Sequence, residues 1–172
     1  KEIDKEALRK AGQIIKDGGL VAFPTETVYG LGGDALNKQS SQKIYAAKGR
    51  PSDNPLIVHI AEREALEKIV TTISDKAKAV MDAFWPGPLT IVLRSRDVIP
   101  ELVRAGGDTV GLRCPDHPLT LELLKRSELP LAAPSANPSG EESPHNAEEV
   151  LSYFDGSIEA VLDGGACSVG VE

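Results

Sequence analysis

The chain has 172 residues, 41% of them hydrophobic, and a formal net charge of −7. That length suits one domain with a proper core, and no apolar run is long enough to cross a membrane. The acidic balance excludes a general polyanion-binding surface, so a nucleotide or nucleic-acid contact has to come from a local basic pocket, for which Lys48, Arg50, Arg104 and Arg113 are the candidates.

Asp4 caps a helix that runs to Lys16, with Leu8, Ala11, Ile14 and Ile15 at helical spacing and Gly18-Gly19 as its stop. Leu20-Val21-Ala22-Phe23 reads as a buried strand. The next segment, Pro24 to Gly32, holds hydroxyls, a carboxylate and a phenol between that strand and two glycines, which predicts a ligand-binding turn. Ser40 or Ser41 starts a short helix ended by Gly49, beside the basic run Lys48-Gly49-Arg50-Pro51-Ser52-Asp53-Asn54. Leu56 to Ile60 is a strand, 62–70 and 74–84 are helical patterns, and Trp85-Pro86-Gly87-Pro88 is a stiff turn into a strand at 89–93. Further along come a strand at 109–113, a helix at 118–126, a short strand at 131–133, a helix capped by Asn146 through Phe154, and a last strand at 160–163. Mixed helices and apolar strands predict an α/β sheet covered by helices, with the polar clusters at strand ends and in loops, where such sheets collect ligands.

Neither a P-loop nor a dinucleotide fingerprint is present. Lys48 and Arg50 can supply positive charge to a triphosphate, with Ser52 and Asn54 as neutral donors. The same pair can equally close a helix through its dipole. His59 is either a core residue bonded to a backbone carbonyl or a group facing the same cavity as the basic loop. Arg113 ends a strand, where it suits a bidentate contact to a carboxylate or stands as an exposed charge. Ser135, Asn137 and Ser143 lie in loops that can be ordinary turns; no Gly-x-Ser-x-Gly elbow surrounds Ser135, so these hydroxyls read as binding groups rather than nucleophiles. No His, Cys or carboxylate set has metal-ligand spacing. Two distant cysteines, Cys114 and Cys167, point to a reduced compartment and, with no apolar signal segment, to the cytoplasm.

The order of Pro24–Gly32, the run 48–56 with His59, the run 109–115, and the run 134–140 followed by Ser143-Pro144 resembles the YrdC-like threonylcarbamoyl-AMP synthases over almost the whole chain. The resemblance implies an α/β fold with a twisted mixed sheet flanked by helices and an open basic cavity. It also implies an enzyme that joins L-threonine, bicarbonate and ATP into threonylcarbamoyl-adenylate, with Mg2+ accompanying the ATP. The product would feed a transferase machinery that modifies tRNA. Carried over by motif position, Thr27, His59 and Arg113 would hold threonine, together with the backbone near Ala133. Arg50, Asn54, Thr109, Ser135 and Ser143 would contact ATP, with Asn137 lining the cavity and Lys48 near the phosphates; Lys48 and Arg50 would offset charge developing on the α-phosphate. The runners-up are a carbamoyl-adenylate-forming domain and a noncatalytic RNA-binding module using a basic concave face. The run 163–172 resembles the start of the family's last binding segment, so the expectation is one YrdC-like domain over residues 1–172, truncated at its C-terminal end.

Overall fold

The computed structural model describes residues 4–51 and 53–168. Helix α1 (Lys5–Lys16) begins at Asp4, whose carboxylate accepts from the backbone N–H groups of Glu6 and Ala7, and ends where Gly18 takes φ +89°. Strands β1 (Val21–Pro24) and β2 (Tyr29–Asp34) form an antiparallel hairpin. Helix α2 (Lys38–Lys48) is capped by Asn37, not by Ser40 or Ser41, and closes on Gly49 at φ +66°. After β3 (Ile57–His59), the sequence pattern at 62–70 yields only a 3-10 turn (Arg63–Ala65) and the four-residue α3 (Leu66–Ile69); no side-chain cap starts either one. Helix α4 (Asp75–Phe84), capped by Ser74, leads to β4 (Ile91–Arg94), which begins two residues later than the apolar run suggests because Trp85 Nε1 holds the Leu89 carbonyl at 2.9 Å. Strand β5 (Thr109–Arg113), α5 (Pro118–Ser127), the short β6 (Leu131–Ala132), α6 (Ala147–Phe154) and the short β7 (Ala160–Val161) complete the described elements.

The seven strands form one mixed sheet in the order β4-β5-β3-β6-β2-β1-β7. Strand β3 runs parallel to β5 and antiparallel to β6, while β1 is parallel to β7. The sequence reading took Tyr29–Gly32 for part of a turn, because two glycines there disguise a strand. Their reason lies on the neighbouring strand: Gly30 pairs with Phe23 and Gly32 with Val21, and the Phe23 ring lies across both glycines. A Cβ on Gly30 would sit 3.3 Å from the ring, and one on Gly32 would collide with it.

Alternation along the strands gives the sheet two unlike faces. Ala22, Leu31, Val58, Val110, Leu112 and Ala132 pack against apolar side chains of α2, α3, α4 and α6. Val21, Phe23, Leu131 and Ala133 pack on the opposite face under Leu8, Ala11 and Ile15 of α1 and Leu123 and Leu124 of α5. That second layer stops short of the β3-β5-β4 end. There Ile57, Gly111 and Val92 stand in register, with Thr109 beside Arg94, and Val92 is 63% exposed. A partly apolar strip of sheet is thus left open next to a helix-covered one.

The close fit at Phe23 makes opposite predictions for two glycines. Gly32→Ala should lower stability by about 1–3 kcal/mol through overpacking, seen in urea unfolding. Gly12→Ala lies in a helix, where the nearest atom to an added methyl is 3.9 Å away, and should be neutral or stabilising. Equal losses for both would remove the account of the glycine-rich strand.

Candidate functional site

His59 and Arg113 end the parallel strands β3 and β5 and are register partners, so both point from the partly open face of the sheet. Arg113 is not the exposed charge of its alternative reading, being 4% exposed, while His59, at 3%, has the backbone-carbonyl bond of a core histidine. The imidazole contacts the Ile57 carbonyl through Nδ1 at 3.2 Å and meets the Phe23 ring edge-on at 6.0 Å between centroids. Burial, and then the charge of Arg113, push its pKa down to about 3, so the ring is neutral at physiological pH.

The turn between β1 and β2 brings two polar residues, Glu26 and Thr27, to the guanidinium and fixes them through a third, Thr25. Thr25 Oγ1 donates to the Val28 carbonyl at 2.7 Å and accepts from the Thr27 and Val28 N–H groups, a side-chain turn that fixes Thr27. With the Thr25 proton committed, the Thr27 hydroxyl donates to Thr25 Oγ1 at 3.1 Å and accepts from Arg113 at 3.4 Å. Glu26 Oε1 pairs with the same guanidinium, its Oε2 accepts from the Asp116 N–H at 2.9 Å, and Arg113 Nε donates to the Gly87 carbonyl at 3.3 Å. Sequence reasoning counted Glu26 only as the carboxylate of a ligand-binding turn. The available signal was a charged residue set between a buried strand and an apolar one.

The basic and hydroxyl-rich loops meet on the other side of the turn. The Lys48 ammonium, 4% exposed, donates to the carbonyls of Ser135 at 2.5 Å and Asn137 at 2.7 Å, and the Lys48 carbonyl accepts from the Ser139 N–H. Where the sequence reading aims Lys48 at phosphates, the structure thus seats its Nζ on the 135–137 loop. Arg50 is half-buried and reaches back to the Asn54 and Pro55 carbonyls, at 3.3 and 2.8 Å, while Asn54 itself is exposed. Ser52 lies outside the described residues. Arg104 belongs to no such pocket, since its guanidinium braces its own loop through the Ile99 and Gly107 carbonyls.

Strand β2 aligns the second loop. Leu31 N–H donates to the Pro134 carbonyl, Ala136 N–H to the Tyr29 carbonyl, and Tyr29 N–H to the Pro144 carbonyl, which brings half-buried Ser135 and Ser143 to the same strand. The Ala133 N–H donates to Ile57, placing Ala133 beside β3 near His59. Asn137 Nδ2 is bonded to the Pro138 and Glu141 carbonyls, whereas its buried Oδ1 has no donor among the described residues. Thr109 is exposed at the far end of β5, across the open strip from the Arg113 end.

The Tyr29 phenol, pushed up to about 12 chiefly by burial, stays protonated; it donates to the Gly165 carbonyl at 2.8 Å and accepts from the Gly164 N–H at 3.0 Å. Residues 163–167 are thereby fastened against the turn, where a Cβ on Gly164 would sit 2.7 Å from Pro24. Among the described residues no helix is long and apolar enough to cross a membrane.

Comparison with known proteins agrees with this geometry. The chain is 49% identical over 170 residues to the threonylcarbamoyl-AMP synthase of Pyrococcus abyssi, covering 99% of this chain and 50% of that protein. It is 51% identical over 166 residues to the Bacillus subtilis threonylcarbamoyl-AMP synthase, covering 96% and 48%. The chain therefore spans about half the length of these curated relatives. The crystal structure of P. abyssi Sua5 complexed with L-threonine superposes with a TM-score of 0.98 at 49% identity, over 100% of this chain and 51% of that one. A full-length HypF structure shares the fold alone, with a TM-score of 0.83 at 19% identity over 95% of this chain and 26% of that one. Residues 13–172 match the Sua5/YciO/YrdC family profile, described as telomere recombination, and with these identities the chain belongs to the Sua5/YciO/YrdC family.

Proposed function

We propose that this chain carries the active site of a threonylcarbamoyl-AMP synthase, joining L-threonine, bicarbonate and ATP into threonylcarbamoyl-adenylate with release of pyrophosphate. The observation that carries the proposal is the buried Arg113 guanidinium, held at the floor of the site between the Thr27 hydroxyl and the neutral His59 ring. A fixed guanidinium suits a carboxylate, and neutral hydrogen-bonding groups around it suit an amino acid's remaining polar atoms. The relatives' names and the L-threonine complex of P. abyssi Sua5 support threonine as that amino acid.

In this reading Thr27, His59, Arg113 and the backbone at Ala133 bind threonine. ATP lies along the open strip toward Thr109, its contacts coming from Arg50, Asn54, Ser135, Asn137 and Ser143. Val92 and Gly111 give that strip an apolar, close-approach floor against which a nucleotide base can lie. Lys48 acts through the 135–137 loop that it braces. Its placement makes it a positioning residue, with Arg50 the group nearer solvent and better suited to phosphate oxygens.

The threonine amine, after losing a proton, bonds to the carbon of bicarbonate with departure of water. A carbamate oxygen then bonds to the α-phosphorus of ATP as the bond to pyrophosphate breaks. The chain's part is to orient the two substrates and to neutralise charge. Among the described residues no group of three His, Cys, Asp or Glu converges as a metal site; Mg2+ would come with the triphosphate, and Arg50 would add positive charge there. Bound there, Mg2+ would offset charge on the phosphates. The adenylate would pass to a transferase machinery acting on tRNA in the cytoplasm. An RNA-binding role is the weaker reading for a chain of net charge −7.

Incorporation of labelled bicarbonate into an adenylate product, with ATP and Mg2+ and with or without L-threonine, tests the reaction; product formed equally without threonine would refute it. Arg113→Gln should weaken threonine binding by roughly 10–100-fold, the value of hydrogen bonds to a charged group, while leaving ATP affinity near wild type. Arg50→Ala should do the reverse. Calorimetry that finds both ligands affected alike in each folded variant would separate these residues from their assigned substrates.

His59 also dictates a pH dependence. Its unfolded value lies near 6.5, whereas the folded ring stays neutral down to about 3. Between those limits the unfolded chain binds the extra proton, so this group's contribution is fully present above the unfolded value. It is lost as pH falls, by about 1.4 kcal/mol per pH unit. Urea unfolding between pH 4.5 and 7.5 should therefore show a shallower acid slope for His59→Gln than for wild type; matching slopes would mean that the ring is protonated in the folded protein.

A further inference from the structure

Glu26 is the one site residue whose presence the proposed reaction does not by itself require. A carboxylate beside an amino-acid site invites two simple roles, a base that takes the ammonium proton or a receptor for the ammonium. The geometry argues against both. Oε1 is committed to the Arg113 guanidinium and Oε2 to the Asp116 N–H, and the Glu26 side chain is only 6% exposed.

What the pair does accomplish is geometric and electrostatic. Through Asp116 it ties the β1–β2 turn to the segment that follows β5, so the guanidinium is clamped between the turn, the Thr27 hydroxyl and the Gly87 carbonyl. It also cancels the charge that a ligand carboxylate would seek. A second carboxylate brought to the same guanidinium meets a site that is already neutral and feels the repulsion of the first.

We infer that Glu26 is a positioning residue of the amino-acid site: it fixes the Arg113 guanidinium as a resident counter-ion, and a substrate carboxylate binds against its charge. The inference rests on the reading of Arg113 as the carboxylate anchor. Threonine affinity in the native protein is then held below what Arg113 alone would provide, with a preformed site as the return.

Glu26→Gln keeps an oxygen for the Asp116 N–H and removes the charge. Calorimetric titration with L-threonine should show binding tightened by about 5–10-fold, the size of one modest charge–charge interaction, with ATP affinity unchanged. Titration with 3-hydroxybutyrate, which has the carboxylate and hydroxyl but no amine, should gain by the same factor. Unchanged threonine affinity would reduce Glu26 to a structural role and overturn the inference. Weaker threonine binding with 3-hydroxybutyrate unaffected would also overturn it, by making Glu26 an ammonium contact. If Glu26→Gln does not fold, Glu26→Asp draws the charge off the guanidinium, and a smaller gain in threonine affinity is expected; no gain overturns the inference. A wild-type chain that binds ATP but not threonine defeats the reading of Arg113 and the inference with it, whereas threonine binding without the predicted gain defeats the inference alone.

Discussion

A guanidinium is not buried to 4% exposure without a partner, because an uncompensated interior charge costs several kcal/mol. Much of this site's architecture is the arrangement that keeps Arg113 buried and charged. The β1–β2 turn is shaped by Thr25 so that Glu26 and Thr27 both face β5. Removing either member of the Glu26–Arg113 pair strands the other, typically at about 3–5 kcal/mol, so the turn and the end of β5 are energetically one unit. His59 depends on the same charge, since Arg113 adds to the burial that keeps its ring neutral.

The hairpin that carries the turn is itself held by complementary shape. Phe23 lies over two glycines of β2 and presents its ring to His59, so the apolar packing under α1 and α5 runs without a break into the polar site. The covered half of that sheet face supplies rigidity and the open half supplies access. A ligand lying from Arg113 toward Thr109 would rest on strands with a packed core directly behind them.

Local signals in the sequence went a long way toward this picture. The caps Asp4 and Asn146 and the proline at 118 place α1, α6 and α5, and the apolar runs at 56–60 and 109–113 contain β3 and β5. It was the family resemblance, not local pattern, that put Thr27, His59 and Arg113 in one cluster. What stayed hidden depends on partners distant in the chain. The strand nature of 29–34 follows from a phenylalanine on its neighbour, and the helical pattern at 62–70 lacked a cap to hold it. Glu26 meets Arg113, and Lys48 meets Ser135, each across 87 positions, a separation at which spacing carries no information about contact.

The seat of Lys48 has a thermodynamic consequence. Its ammonium holds two carbonyls of the 135–137 loop while its own carbonyl holds Ser139, so the C-terminal end of α2 and the hydroxyl-rich loop are stitched together by both side chain and backbone. Loops that must order when a ligand arrives subtract that entropy from its affinity. Here the ordering is already complete at folding, carried by a buried cation that no ligand has to supply. A ligand reaching the loop would therefore meet a rigid surface, and less of its binding energy would be diverted into arranging the protein.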